Sequence, residues 1–138
     1  GGPNARKTVL NAPLPGGCGD VEYTTAVDEL LAPALDRFDP DLFLISAGFD
    51  AHQHDPISRM RVSTEGYGVL TDRVRTLAEA NDAALAFILE GGYGLDALSD
   101  SVGMVNETFD GRQPVEPDGD ILSKAKRVLD DVRDAHDL

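Results

Sequence analysis

Apolar residues recur along most of the chain at intervals of three and four residues, the period that predicts amphipathic helices. One such segment follows Asp20, which can cap a helix, and contains Pro33, which should kink or divide it. A second helix is predicted to begin at Ser63 or Thr64, and a third presents its apolar side from Leu95 onward. A last helix carries its apolar side chains on one side: Ile121, Leu122, Ala125, Val128, Leu129 and Val132.

Two short runs, residues 42–46 and 83–89, are apolar throughout and lack the helical period. Their length predicts strands that are buried on both faces, as in a parallel sheet. Residues 8–14 are predicted to form a further short strand. The resulting order is β-α-β-α-β-α-α, and such alternation indicates an α/β fold with a parallel sheet and right-handed crossovers.

In open parallel sheets, binding and catalytic sites form beyond the carboxyl ends of the strands. Two loops leave such ends here, at residues 47–61 and 90–94, and both are rich in glycine and polar side chains. They therefore hold the candidate functional residues of the chain, which are Asp50, His52, His54, Asp55, Glu90 and Tyr93.

The residue types in the first loop allow several interpretations. The Asp50 carboxylate can ligate a metal ion, activate water or cap a turn. His52 and His54 would share a face of an extended segment, so that they could join Asp50 on zinc. We favour a solvent-exposed pair of histidines, because a His-x-His pair alone is a weak signal for a metal site.

The second loop contains two consecutive glycines followed by a tyrosine. Gly91 and Gly92 permit backbone conformations closed to other residues and a close approach to a ligand. Tyr93 follows them, and its hydroxyl can donate a hydrogen bond to a developing oxyanion. The alternative to this catalytic role is a tight turn in which the Tyr93 ring is packed.

The glycine-rich residues 16–19 lack the Lys-Ser/Thr ending of a phosphate-binding loop, so a nucleotide-binding, flavodoxin-like domain is only a weak alternative.

The net charge of the chain limits the classes of partner that it can bind. The net charge is -13, from 25 acidic and 12 basic residues, which predicts no direct binding to nucleic acid. This composition suits a halophilic protein, in which salt screens the self-repulsion, although ordinary acidic proteins also show it.

No apolar run approaches the roughly 20 residues that span a bilayer. The single cysteine, Cys18, fits a reducing cytoplasm and excludes a multi-cysteine zinc site.

Three segments in this order and spacing resemble the histone deacetylase superfamily: residues 11–20 (NAPLPGGCGD), 46–56 (SAGFDAHQHDP) and 89–93 (LEGGY). The similarity is strongest to class II-like members and to acetoin-utilisation-type proteins of bacteria and archaea. It covers residues 8–109 of a single predicted domain, 1–138, and leaves the terminal helix at 120–138 less distinctive. The resemblance implies the C-terminal part of a three-layer α/β/α, arginase/deacetylase-like fold.

The resemblance also implies an activity, the zinc-dependent hydrolysis of acetyl-lysine or a related acylated amine. It makes Asp50 a zinc ligand and Tyr93 the catalytic tyrosine that binds the substrate carbonyl, with Gly91 and Gly92 beside the substrate. Ile57 would lie at the rim of the substrate tunnel, where polyamine-selective relatives can carry a glutamate. Neither His52 nor His54 matches a ligand of the family.

This sequence departs from the family pattern in one respect. The paired histidines and the Asp-x-His zinc motif of the family precede the matched region, and nothing before Thr8 supplies them. We therefore expect a fragment that is inactive alone and that needs a complementary N-terminal segment. The alternative is a non-catalytic acidic α/β remnant that serves only in assembly.

Overall fold

The computed structural model describes residues 8–138 and has helices packed on a parallel sheet. In chain order the elements are α1 (Asp20–Ala26), α2 (Ala32–Phe38), β1 (Leu42–Ala47), α3 (Thr64–Ala80), β2 (Ala84–Leu89), α4 (Leu95–Phe109) and α5 (Ser123–His136). The strands β1 and β2 pair in parallel, with Leu42 opposite Ala84 and Ala47 opposite Leu89. The predicted α/β class with a parallel sheet is therefore confirmed.

The predicted strand at residues 8–14 is wrong, since the structure assigns no strand there. Pro13 has no backbone N–H to donate to a neighbouring strand. The Leu14 N–H instead donates to the Ala12 carbonyl at 2.8 Å, a tight local turn in place of a sheet ladder. The apolar residues of this segment thus mark a loop that leads into α1.

The division of the first helix at Pro33 is confirmed. A π-helical segment, Val27–Leu31, separates α1 from α2, and the Ala32 N–H donates to the Val27 carbonyl five residues back. Because proline lacks an N–H and crowds the preceding turn, the wider π-helical turn ahead of it accommodates the ring.

Hydrogen bonds between the starts of two helices tie α1 to α3. Ser63 caps α3 as predicted, because its hydroxyl accepts the Gly66 N–H at 3.0 Å. Asp20 does not cap α1, for which Gly19 is the N-cap. The Asp20 carboxylate instead accepts from the Ser63 N–H at 2.7 Å and the Ser63 hydroxyl at 2.6 Å, across 43 residues of sequence.

Only one face of the sheet is covered within residues 8–138. Phe43 points to this face and packs with Val74 and Ala78 of α3. On the opposite face, Leu44 is 59% exposed and Ile88 is 47% exposed. The prediction of strands buried on both faces is therefore wrong for these residues, because the helices that pack on the sheet lie on the Phe43 side.

The last helix packs against the beginning of the chain. Ala125 and Leu129 are buried, which confirms the predicted apolar side of α5. The buried Glu22 carboxylate accepts the Leu122 N–H at 2.9 Å, and so holds the start of the helix. No helix in the part of the chain that the structure describes is long and apolar enough to cross a membrane.

Candidate functional site

The two candidate loops leave the sheet at the same edge. The strands β1 and β2 run parallel and end opposite each other, at Ala47 and Leu89. Beyond the strand ends, the Glu90 N–H donates to the Ala47 carbonyl at 2.9 Å, and the Phe49 N–H donates to the Gly91 carbonyl at 3.4 Å. The segments that carry Asp50 and Tyr93 are thus hydrogen-bonded neighbours.

Asp50 lies against the glycines of the second loop. Gly91 has a φ of +75°, and a Cβ atom built on it would lie 3.4 Å from both Cγ and Oδ1 of Asp50. Gly92 has a φ of +108°, and a Cβ atom there would lie 2.9 Å from the Cβ atom of Phe49. The predicted glycine backbone conformation is confirmed by the positive φ of both residues, which also pack closely on the first loop, whereas a close approach to a ligand stays a prediction.

Gly92→Ala should destabilise the protein, because alanine disfavours this φ and its methyl group would collide with Phe49. We expect the free energy of unfolding to fall by at least ~1–3 kcal/mol, measured by denaturant unfolding. Gly103→Ala is the matched control: a Cβ atom at this position in α4 meets nothing within 4 Å. It should stabilise the helix by about 0.5–1 kcal/mol. Equal effects of the two substitutions would refute this account of Gly92.

The turn that carries Asp50 is supported from α3 by Tyr67, which is 8% exposed. Its hydroxyl donates to the Gly48 carbonyl at 3.4 Å, and its ring lies 4.9 Å from that of Phe49. Burial raises the pKa of Tyr67 and the charge of Asp50 raises it further, so the phenol stays a neutral donor. In the sequence, Tyr67 shares an apolar helical stripe with Leu70, Val74 and Leu77, a pattern that does not indicate this supporting contact.

His52 is buried, with 3% of its surface exposed, so its predicted exposure is wrong. Its Nδ1 atom accepts the His54 N–H at 3.1 Å, and its Nε2 atom lies 3.1 Å from the Thr64 hydroxyl. Burial lowers the pKa of His52, and the neighbouring His54 lowers it further, which keeps the ring neutral. Both ring nitrogens are engaged, so His52 anchors the loop to α3 and is not free for a metal. His54 is exposed, as expected.

Asp55 joins the two loops. Its Oδ1 atom accepts the Ile57 N–H at 2.8 Å and the Ser58 N–H at 3.2 Å, and its Oδ2 atom accepts the Tyr93 N–H at 2.8 Å. Burial raises the pKa of Asp55, but these backbone donors lower it by more, and the net pKa lies below its usual range. The side chains of Ile57 and Tyr93 are 68% and 57% exposed, so both are accessible from solvent.

The described residues do not make a zinc site by themselves. Within residues 8–138, no group of three or more His, Cys, Asp or Glu side chains is arranged to hold a metal ion. Catalytic zinc is generally held by three protein ligands, and Asp50 supplies one suitable carboxylate. Glu90, exposed in the loop after β2, accepts from the hydroxyl of Ser46 in β1 at 3.3 Å.

Comparison with known proteins places this arrangement in a family. A family model for the histone deacetylase domain matches residues 1–109. The chain belongs to the histone deacetylase family. It is 47% identical over 100 residues to "Histone deacetylase 10, chloroplastic" of Oryza sativa subsp. japonica, a match that covers 72% of this chain and 23% of that protein. The predicted resemblance is thereby confirmed, while a halophilic source stays a prediction.

A second relative agrees in sequence, and a solved structure agrees in fold. The chain is 35% identical over 119 residues to "Polyamine deacetylase HDAC10" of Homo sapiens, which covers 86% of this chain and 17% of that protein. The solved structure of the histone deacetylase Clr3 superposes with a TM-score of 0.85 at 29% identity, over 94% of this chain and 22% of that one. The chain thus spans less than a quarter of the length of these relatives.

Proposed function

We propose that this chain is part of a zinc-dependent deacetylase that hydrolyses the amide of acetyl-lysine or of a related acylated amine. Histone deacetylases are generally zinc-dependent, and the relatives are named for histone and polyamine deacetylation. The observation that carries the proposal is the contact between the two loops, in which the Asp50 carboxylate lies against Gly91, two residues before Tyr93.

In this proposal Asp50 provides one ligand to the zinc ion. The remaining ligands and the histidine base come from outside residues 8–138, because those residues supply no further ligands around Asp50. A complementary N-terminal segment, on the same polypeptide or on a second one, would provide them. This chain alone is then expected to be inactive.

Tyr93 is the proposed oxyanion donor. Its side chain is exposed at the loop that leaves β2, where an incoming acyl group can reach the hydroxyl. A neutral phenol donates a hydrogen bond that strengthens as the carbonyl oxygen gains charge in the transition state. Gly91 and Gly92 lack side chains, so the acyl group can approach the backbone beside Tyr93 closely.

Ile57 bears on the class of substrate. It is 68% exposed in the loop after β1, which fits a position at the rim of the entrance. An apolar side chain cannot pair with the cationic amines of a polyamine, as a glutamate at this position could. We therefore favour acetylated lysine in proteins over acetylated polyamines. The cytoplasmic location and the absence of direct nucleic-acid binding stay predictions.

A non-catalytic assembly module is the second candidate. The observation in its favour is the open face of the sheet, where the apolar side chains of Leu44 and Ile88 are 59% and 47% exposed. Such a surface is typical of protein contacts rather than of water-facing strands. In this alternative the family fold is retained, but Asp50 and Tyr93 do no chemistry.

Zinc content and activity on an acetyl-lysine reporter separate the two candidates. Both quantities are measured for this 138-residue chain and for the complete gene product that contains it. The deacetylase proposal expects about one zinc ion per molecule and measurable turnover in the complete product, with neither in the isolated chain. A complete product that neither retains zinc nor deacetylates peptides or polyamines would support the assembly module instead.

A further inference from the structure

The buried carboxylate of Asp55 bonds to both loops of the proposed site. One oxygen binds backbone N–H groups of its own loop, at Ile57 and Ser58. The other oxygen accepts the Tyr93 N–H at 2.8 Å, across 38 residues of sequence. This last bond fixes the backbone from which the Tyr93 side chain projects, whereas that side chain itself is largely exposed.

Three converging N–H donors require an acceptor with two oxygens, and an ionised carboxylate offers both without any donor of its own. An asparagine at position 55 would have a single oxygen. Whichever way its amide turned, an NH2 group would face either the Tyr93 N–H or the donors at Ile57 and Ser58. Asparagine therefore cannot reproduce both halves of the link, although it nearly matches aspartate in shape.

The other end of the link is anchored to a long helix. The Asp55 N–H donates to the His52 carbonyl at 2.9 Å, and the His52 ring lies 3.1 Å from the hydroxyl of Thr64, the first residue of α3. A Cβ atom on Gly94 would lie 3.1 Å from the His54 carbonyl, so the two loops are also packed closely here. The contacts thus run from α3 through His52 and Asp55 to the backbone of Tyr93.

We propose that Asp55 is a positioning residue, which sets the Tyr93 hydroxyl relative to the Asp50 carboxylate by joining the two loops. It acts through the Tyr93 backbone and makes no contact with the substrate. The inference rests on the proposed deacetylase function, and its test is arranged so that the two can fail separately.

The test compares Asp55→Asn with Asp118→Asn in the complete gene product. Asp118 is an exposed carboxylate in the segment before α5, so its substitution makes the same change of charge away from the site. Asp55→Asn should lower kcat by ~10–100-fold with little change in KM or zinc content, because a displacement of about 1 Å at a reacting group can cost 100-fold. Asp118→Asn should leave kcat unchanged.

A double-mutant cycle separates positioning from a general structural role. If Asp55 acts through Tyr93, then Asp55→Asn should lower kcat by less than ~3-fold once Tyr93→Phe has removed the hydroxyl. The same loss of kcat in both backgrounds, or no loss in either, would overturn the inference. If the unsubstituted complete gene product shows no deacetylase activity, the proposed function itself is refuted.

Hydrogen exchange of the unsubstituted protein provides a second measurement, which decides the matter if Asp55→Asn does not fold. The Tyr93 amide should exchange slowly although its side chain is 57% exposed, because Asp55 holds the N–H group. Exchange of the Tyr93 amide as rapid as that of an unprotected loop residue would contradict the proposed link.

Discussion

Tyr93→Phe should lower kcat of the complete gene product by roughly 100- to 1000-fold, the usual effect of removing one oxyanion donor. The aromatic ring remains, so the packing of the loop after β2 is retained. In the proposed function the hydroxyl acts mainly on the transition state, so KM should change little, and zinc should stay bound. Steady-state kinetics on an acetyl-lysine peptide, together with the zinc content, measures all three quantities.

Tyr23→Phe is the matched control for this substitution. Tyr23 is a partly buried residue of α1 that packs against the core cluster around Phe49 and Tyr67. Removing its hydroxyl makes the same chemical change outside the proposed catalytic residues, and kcat should remain near the unsubstituted value. A Tyr93→Phe protein that keeps most of its turnover would show that another group stabilises the oxyanion.

Asp50→Ala should abolish stable zinc binding by the complete gene product. Changes to residues that only orient a zinc ligand typically weaken metal binding by about 10–100-fold, and removal of a ligand itself should exceed that. Turnover should disappear together with the metal. Zinc retained after dialysis, and the zinc affinity measured against a competing chelator, test this expectation directly.

Glu90→Ala serves as the control for Asp50→Ala. Glu90 is an exposed carboxylate at the end of β2 and bonds to the Ser46 hydroxyl at 3.3 Å, so the substitution removes a similar charge from the neighbouring loop. Zinc affinity should change little. If Asp50→Ala bound zinc as tightly as the unsubstituted protein, the assignment of Asp50 as a ligand would be wrong.

Features set by local sequence were predictable. The start of α3 follows from the capping of Gly66 by Ser63, and the interruption of the first helix follows from the missing N–H of Pro33. The shared edge of the two loops follows from the parallel order of the strands, which the strand-helix-strand order of the sequence predicts. Position at a strand end, together with the family motifs, was enough to select Asp50 and Tyr93 as candidates.

Features set by distant contacts were not predictable. The burial of His52 depends on the Thr64 hydroxyl, and the use of Asp55 depends on an N–H group 38 residues away. In the sequence, Tyr67 is one apolar residue of a helical stripe, and only the structure shows that its hydroxyl bonds to the Gly48 carbonyl. The apolar pattern of the sequence did not predict the open face of the sheet. Apolar residues indicate a preference for burial but do not show which element covers the strand.

The most direct test of the account is a crystal structure of the complete gene product with zinc bound. It should place an Asp50 carboxylate oxygen about 2.0–2.2 Å from the metal, the usual zinc–carboxylate distance, with the Tyr93 hydroxyl facing the same cavity. A metal held without Asp50, or a Tyr93 hydroxyl directed away from that cavity, would contradict it.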